Sequence, residues 1–584
     1  MNLLDQALAA AVLVTWRSII PRIPPDVVRV LARTLFSKSW GRFQRATAQP
    51  AEAQKSRLLE IIDRNRDTVF GREHGFGDIR SIADFRSRVP IMRYEDLEPY
   101  IKRMMRGEKN VLLADEVKFF ARTSGTTGAA KYIPVTQTYL EEYRAGRRIW
   151  LRQVAQVFPG LVRGTLLTMH SPKIEGRTES GIPFGSITVA MGASDQGGQT
   201  GRLPLLSPLQ KIPMRIFFLE DFETKYYALL RTAVETDIAM MAAINPSTLI
   251  LMCQKLTEFA PAIIEDCEKG SIRSDLDLGQ ELRAELESRF KPAPEIAQRL
   301  RASLAAHGRV RPIDIWPNLC GLLSWKGGSA PFYLRQFPEW FGQLPVMDYG
   351  YAATEGSFSI VMSAEGSKGV ANVMGHFLEF IPEERRHESA PPVLNLDELE
   401  IGKRYYVLIT GSHGLMRYDI NDVVEVVGRY KNTPEIVFCH KGGNMISYTG
   451  EKIGESHVVM AVSGAQEQCD IDLNGFLVTV RTDSATPRYI FAVEPSSGAN
   501  EADLRALLHA CEAGLRDANI EYAAKRDSNR LADPWLQVVS TGAFERTRKA
   551  RIDAGAFDSH VKVPHLAQDP GEVAKMGIER TVTW

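Results

Sequence analysis

The segment Arg122-Thr-Ser-Gly-Thr-Thr-Gly-Ala-Ala-Lys131 places four hydroxyl side chains and two glycines ahead of a lysine. Glycines let the backbone curl so that successive N–H groups converge, hydroxyls add donors, and the lysine ammonium supplies a point charge, which together suit a polyphosphate. The spacing fails the G-x-x-x-x-G-K-[ST] rule, and a strand rather than a helix is expected next, so a P-loop is disfavoured. On composition alone, a plain turn of small polar residues is the other reading. The adjacent Cys439 and His440 are two ligands where a zinc site needs three or four. Six cysteines without any C-x-x-C pair fit reduced thiols. Of the eleven histidines, His413 and His565 sit near other motifs, but nothing marks either as a base.

The elements around these residues follow from periodicity. Val117–Ala121 and Tyr132–Thr136 read as extended pieces, so the hydroxyl–glycine loop joins two strands and can present its amides outward. Leu58, Leu59, Ile61 and Ile62 before Gly71, and Tyr139, Leu140, Tyr143, Ile149, Trp150 and Val154, have helical spacing. Short apolar runs at Ile238–Ala243, Leu344–Met347 and Tyr405–Thr410, separated by helical stretches, predict a mostly parallel sheet covered on both faces. After His440-Lys-Gly-Gly443 the pattern changes to strands at Phe476–Val480 and Tyr489–Val493. A helix with Leu504, Leu507, Leu508, Cys511 and Leu515 on one face follows, then a strand at Trp535–Val539. This gives an α/β chain in three parts: a basic extension over 1–48, a large domain over 49–439, and a small mobile α+β lid over 440–584, with the glycine-rich turn as hinge.

Composition narrows the partners. The 584 residues carry 71 Lys+Arg against 71 Asp+Glu, so no global positive field holds nucleic acid. With 44% hydrophobic and 24% charged residues the chain is an ordinary globular one. No apolar run approaches a membrane span, and Asp5 with no positive leader argues against a secretory signal. The expected location is cytoplasmic. Residues 1–48 hold seven basic side chains against Asp5 and Asp26. A basic helical extension packed on the main domain is the first reading, and peripheral contact with an anionic membrane the second.

Thr123-Ser-Gly-Thr-Thr-Gly-x-x-Lys131 resembles the phosphate-binding loop of adenylate-forming enzymes, and among them the chain is most similar to the auxin-responsive (Gretchen Hagen) family of acyl acid amido synthetases. Ile315-Trp-Pro-Asn318, Gly327-Gly-Ser-Ala330 and Tyr351-Ala-Ala-Thr-Glu355 resemble, in order and spacing, that family's adenine-binding segment and Y-x-x-[ST]-E motif. Asn245-Pro-Ser247, Leu415-Met-Arg-Tyr-Asp-Ile-Asn-Asp422 and Val561-Lys-Val-Pro564 extend the resemblance over most of the chain. It implies a large adenylate-forming domain with mixed and parallel sheets. It also implies an ATP site of Thr123, Ser124, Gly125, Thr126, Thr127, Gly128, Lys131, Gly328, Ser329, Ala330, Tyr351, Thr354, Glu355, Asp422 and Lys562. Tyr351 would stack on adenine, and Gly328, Ser329 and Ala330 would leave room for the base. Glu355 would give magnesium a hard oxygen ligand, Asp422 would take the ribose hydroxyls, and Lys131 and Lys562 would act in catalysis. Arg546, Arg548, Lys549 and Arg551 form a basic cluster that is an alternative to Lys562. Two departures stand out. The plant pattern Y-R-x-G-D reads Tyr418-Asp-Ile-Asn-Asp422 here, and the basic N-terminus has no counterpart in that pattern.

The resemblance implies that ATP activates a small carboxylic acid as an acyl-adenylate, which an amine, expected to be an amino acid, then converts to an amide and AMP. Two other readings are an acyl-CoA ligase sharing the first half-reaction, and a noncatalytic nucleotide-binding scaffold held at a membrane.

Overall fold

The computed structural model describes residues 22–123, 131–169, 174–187, 212–327, 330–442, 445–446, 448, 451, 453–483, 486–527, 530–553 and 563–584. The chain forms two compact units. The first comprises Met1–Lys326, Arg335–Ile420 and Glu425–Val437, and the second Gly327–Leu334, Asn421–Val424 and Phe438–Trp584.

In the first unit, strands Thr165–Thr168, Ile238–Ala242, Gly321–Leu323 and Val346–Met347 lie side by side, all parallel. Ile238–Ala242 is buried at every position, as a parallel strand covered on both faces must be. It leads into the helix Pro246–Lys269, whose start is written in the sequence. The Asn245 side chain accepts a hydrogen bond from the Ser247 N–H at 3.1 Å, and Pro246 sits at the first helical position, where no N–H is needed. The Asn245-Pro-Ser247 motif is thus a helix cap.

Strands Val117–Thr123 and Lys131–Thr136 pair antiparallel and, with Pro183–Gly185 and Ile174–Arg177, make a second sheet. Thr136 then caps the long helix Gln137–Val157 by accepting from the Tyr139 N–H. The expectation for Tyr405–Thr410 needs correction. Its strand, Arg404–Thr410, pairs antiparallel with Phe377–Pro382 in a seven-stranded sheet rather than joining the parallel one. An unbroken apolar run reports burial, and burial does not encode strand direction.

Helices Pro25–Leu35 and Ser37–Ala48 pack on the helix Gln137–Val157, with Val28 and Phe43 in one core with Ile149, Trp150 and Val154. Arg29 Nε donates to the Gln156 carbonyl at 3.2 Å and Arg33 Nε to Gln156 Oε1 at 2.8 Å. Val27, Val30, Leu31 and Leu35 stay exposed. No described helix is long and apolar enough to cross a membrane.

In the second unit, strands Leu473–Arg481, Arg488–Pro495, Ala532–Val539 and Ile578–Val582 form a sheet in that order. Helices Glu455–Cys469 and Glu501–Ala518 contribute to its core. Leu504, Leu507, Leu508, Cys511 and Leu515 all lie in that core, as the helical spacing requires. The helix Glu455–Cys469 and the strand Ile578–Val582 carry no strong periodicity and were not legible in the sequence.

Candidate active site

Thr123 and Lys131 are register partners at the ends of their two strands. The intervening Ser124, Gly125, Thr126, Thr127 and Gly128 lie outside the described residues. The Lys131 ammonium donates to the Tyr418 hydroxyl at 3.5 Å and sits 5.3 Å from the centre of the Tyr94 ring. Tyr94 is fixed in turn: its hydroxyl accepts from the Tyr132 N–H at 2.7 Å, and burial pushes its pKa up to about 12, so it stays neutral. Among the described residues no carboxylate pairs with Lys131. One hydroxyl and a ring face orient the ammonium without cancelling its charge, which suits it to an anion.

Thr354 and Glu355 form the two-residue connection of a tight hairpin, with Ala353 opposite Gly356 and Ala352 opposite Ser357. The approach to the hairpin is sharply bent. Asp348, at the end of the parallel strand Val346–Met347, accepts from the Gly350 and Lys326 N–H groups at 2.7 and 2.6 Å. Burial raises the Asp348 pKa to about 6. Gly350 has φ +86°, and a Cβ there would stand 2.6 Å from the Ser359 carbonyl oxygen, so only glycine fits. Tyr351 is buried, with Phe358 stacked on its ring at a centroid distance of 4.4 Å. Glu355 is itself 7% exposed. The Trp316 of the Ile315–Asn318 segment is a core residue, its indole donating to the Ala233 carbonyl at 2.9 Å.

The departure at Tyr418–Asp422 has a structural account. Where the plant pattern has arginine, Asp419 is buried and neutralised by Arg386, whose guanidinium also lies over the Tyr406 ring at 4.8 Å. Where the pattern has glycine, Asn421 takes φ 60°, the left-handed conformation that asparagine tolerates better than most residues. Asn421 is held by its carbonyl, which accepts from the Gly442 N–H at 2.6 Å, and by its side-chain amide, which donates to the Gly442 carbonyl. Asp422 is buried and ion-paired with the half-exposed Lys441 at 3.1 Å.

Thr123, Lys131, Tyr351, Thr354 and Glu355 therefore belong to the first unit, and Ala330 and Asp422 to the second. Ala330 opens the short helix Ala330–Leu334, its N–H donating to the Gly327 carbonyl at 3.1 Å. Gly328, Ser329 and Lys562 lie outside the described residues. The chain just past Lys562 is firmly anchored within the second unit. The His565 N–H donates to Glu455 at 2.8 Å, the His565 ring stacks on Phe476 at 4.2 Å, and Leu566 bridges to Val478. Sequence reasoning missed Tyr418 and Lys441 as partners of Lys131 and Asp422, although both stand inside or beside segments that had already been singled out.

No three His, Cys, Asp or Glu side chains gather as a metal cage among the described residues. Magnesium needs none: it keeps several waters and binds through one or two carboxylates plus phosphate oxygens. A single buried carboxylate on a stiff hairpin, Glu355, fits that donor set.

The fold is that of adenylate-forming enzymes. A GH3.15 acyl acid amido synthetase structure superposes with a TM-score of 0.81 at 20% identity, covering 93% of this chain and 96% of that one. A 2-hydroxyisobutyryl-CoA ligase superposes at 0.52 with 14% identity, covering 91% and 93%. The GH3 family's N-terminal domain matches residues 40–346, its central domain 370–441 and its C-terminal domain 456–571. The chain belongs to the GH3 family. Similar relatives include a jasmonoyl–L-amino acid synthetase, JAR4, of Nicotiana attenuata, 22% identical over 540 residues, with 89% of this chain and 92% of that one covered. The indole-3-acetic acid-amido synthetase GH3.8 of Oryza sativa subsp. indica is 25% identical over 544 residues, covering 89% of each chain.

Proposed function

We propose that this protein is an ATP-dependent acyl acid amido synthetase, a carbon–nitrogen ligase that releases AMP. The observation that carries this reading is the match of all three GH3 domains, in order, along the chain. A carboxylate and an amine do not condense at neutral pH, because the acid is an anion with a poor leaving group. In the first half-reaction an oxygen of the substrate carboxylate attacks the α-phosphorus of ATP. The bond to the pyrophosphate oxygen breaks, and an acyl-adenylate forms. In the second, an amine, expected to be that of an amino acid, attacks the acyl carbon, AMP leaves, and the amine loses its proton.

Attack of one anion on another makes the first half mainly an electrostatic problem. Lys131 is fitted to it, since its ammonium is oriented by the Tyr418 hydroxyl and the Tyr94 ring, with no carboxylate paired to it among the described residues. Lys562 is assigned the second cation on the resemblance of Val561–Pro564 to the family's ending. Thr123 through Gly128 are assigned to the phosphates, Tyr351, Gly328, Ser329 and Ala330 to the base, Thr354 to the nucleotide beside Glu355, and Asp422 to the ribose. Magnesium, held by Glu355, would supply positive charge to the phosphate oxygens. The reaction belongs in the cytoplasm, where ATP and amino acids are at hand, and all six cysteines are free thiols.

The test is ATP–pyrophosphate exchange across a library of carboxylic acids, followed by mass-spectrometric detection of amides formed from mixed amino acids. An acid that supports exchange and yields an amide upholds the reading. AMP release that depends on coenzyme A and not on amines would replace it with an acyl-CoA ligase, the second reading that the fold likeness to the 2-hydroxyisobutyryl-CoA ligase keeps in view.

A further inference from the structure

Three buried rings meet the hairpin turn that carries Glu355. Tyr139, wholly buried on the first turn of the helix Gln137–Val157, donates its hydroxyl hydrogen to the Thr354 carbonyl at 2.7 Å. His413, also wholly buried, lies 5.1 Å from the Tyr139 ring and faces the backbone of Glu355. His376, 5.7 Å from His413, closes on the next residue: a Cβ on Gly356 would stand 2.4 Å from its Nε2. Each of three consecutive turn residues therefore has its own buried ring.

The His413 ring and the main chain at His376 are themselves fixed. The Leu415 N–H donates to His413 Nδ1 at 3.1 Å, which leaves the ring proton on Nε2. The His376 carbonyl accepts from Gln54 Nε2 at 2.7 Å. Because a peptide is planar and trans, holding the Thr354 carbonyl toward Tyr139 points the Glu355 N–H the opposite way. The helix bearing Tyr139 follows directly from the strand that starts at Lys131. One hydroxyl thus ties the turn that bears the carboxylate to the strand that bears the cation.

We infer that Tyr139 is a positioning residue, setting the peptide plane of Thr354–Glu355 so that the Glu355 carboxylate is presented in one orientation. The inference rests on the adenylation reading for the purpose of that orientation, and on the hydrogen bond itself for its existence. Removal of a residue that orients a metal-binding carboxylate commonly costs about 10–100-fold in metal affinity or activity.

The experiment compares the full-length wild type with Tyr139→Phe, which keeps the ring and removes the hydroxyl. In pyrophosphate exchange the variant should lose about 10–100-fold in kcat, keep its KM for the acid, and need more Mg2+ for half-maximal rate, measured at a temperature well below its thermal midpoint. In hydrogen–deuterium exchange without ligands, amides 352–357 should lose protection while those of the strand Ile238–Ala242 do not. Gly356→Ala, which pushes the turn off His376, should give the same pattern and serves if Tyr139→Phe folds poorly. Wild-type kinetics at every Mg2+ concentration, or unchanged protection of 352–357, overturns the inference. If the wild type itself shows no exchange with any acid, the adenylation reading fails, and the protection data still decide whether Tyr139 holds the turn.

Discussion

Lys131 is held by a hydroxyl oxygen at hydrogen-bond range and by the ring of Tyr94, a setting that orients its ammonium without neutralising it. Lys131→Ala should lower exchange kcat by about 10²–10³-fold, roughly 3–4 kcal/mol of barrier, by comparison with removal of one oxyanion donor. The fold should persist, because the residue opens its strand and, among the described residues, takes no part in an ion pair. An exchange rate within threefold of wild type would remove Lys131 from the reaction. Asp422 differs in kind, since its carboxylate already has a partner in Lys441. Asp422→Asn should raise KM for ATP by about 10–100-fold, the worth of a hydrogen bond to a charged group, with kcat nearly kept. Loss of kcat with unchanged KM would mean that Asp422 serves something other than nucleotide binding. Lys131, Glu355 and Asp422 were legible as candidates because their types and spacing carry the motif. Tyr418, Tyr139 and His376 were not legible as their supports, because they act across 287, 215 and 20 residues, where spacing holds no information.

The helix Pro246–Lys269 owes its start to one side chain. Asn245→Ala removes the acceptor for the Ser247 N–H and should cost about 1 kcal/mol of stability. Chemical denaturation reads that loss directly, and an unchanged midpoint would show that another group takes over the cap. At this scale the sequence was informative wherever an element carries its own amphipathic signal. The helix Gln137–Val157 and the helix bearing Leu504 to Leu515 were both read correctly, as were the two strands around the hydroxyl–glycine loop. The seven-stranded sheet was invisible as a sheet. Its members run from Ser359–Val361 to Thr433–Lys441 and pair out of chain order, and a buried run such as Tyr405–Thr410 looks the same in either direction. The Asp419–Arg386 pair shows the same limit in electrostatics: the cation lost from the motif is matched by an arginine 33 residues upstream.

At the scale of the whole molecule, buried imidazoles couple folding to pH. Burial pushes the His413 pKa down to about 3, and burial, then His413 and Arg57, push His376 well below its usual value. An unfolded chain would take up protons on both histidines below pH 6.5 while the native state does not. Their contribution to stability is therefore intact above pH 6.5 and falls as pH drops, at about 1.4 kcal/mol per pH unit for each histidine. Calorimetry between pH 7 and pH 5 should show a falling Tm, and a flat profile would mean that these rings take up protons in the native state as readily as in the unfolded chain.

The two units are not consecutive in the chain, for the second takes in Gly327–Leu334 and Asn421–Val424 as well as Phe438–Trp584. Tyr333, from the first of these inserts, packs against the second unit's core. A ribosome making this protein releases that insert more than a hundred residues before the sheet Leu473–Val582 of the same unit exists. The nascent chain must therefore keep Tyr333 waiting through synthesis of the seven-stranded sheet. A fragment beginning at residue 438 would be born without it, so such a fragment should be less stable than the same unit in the intact chain.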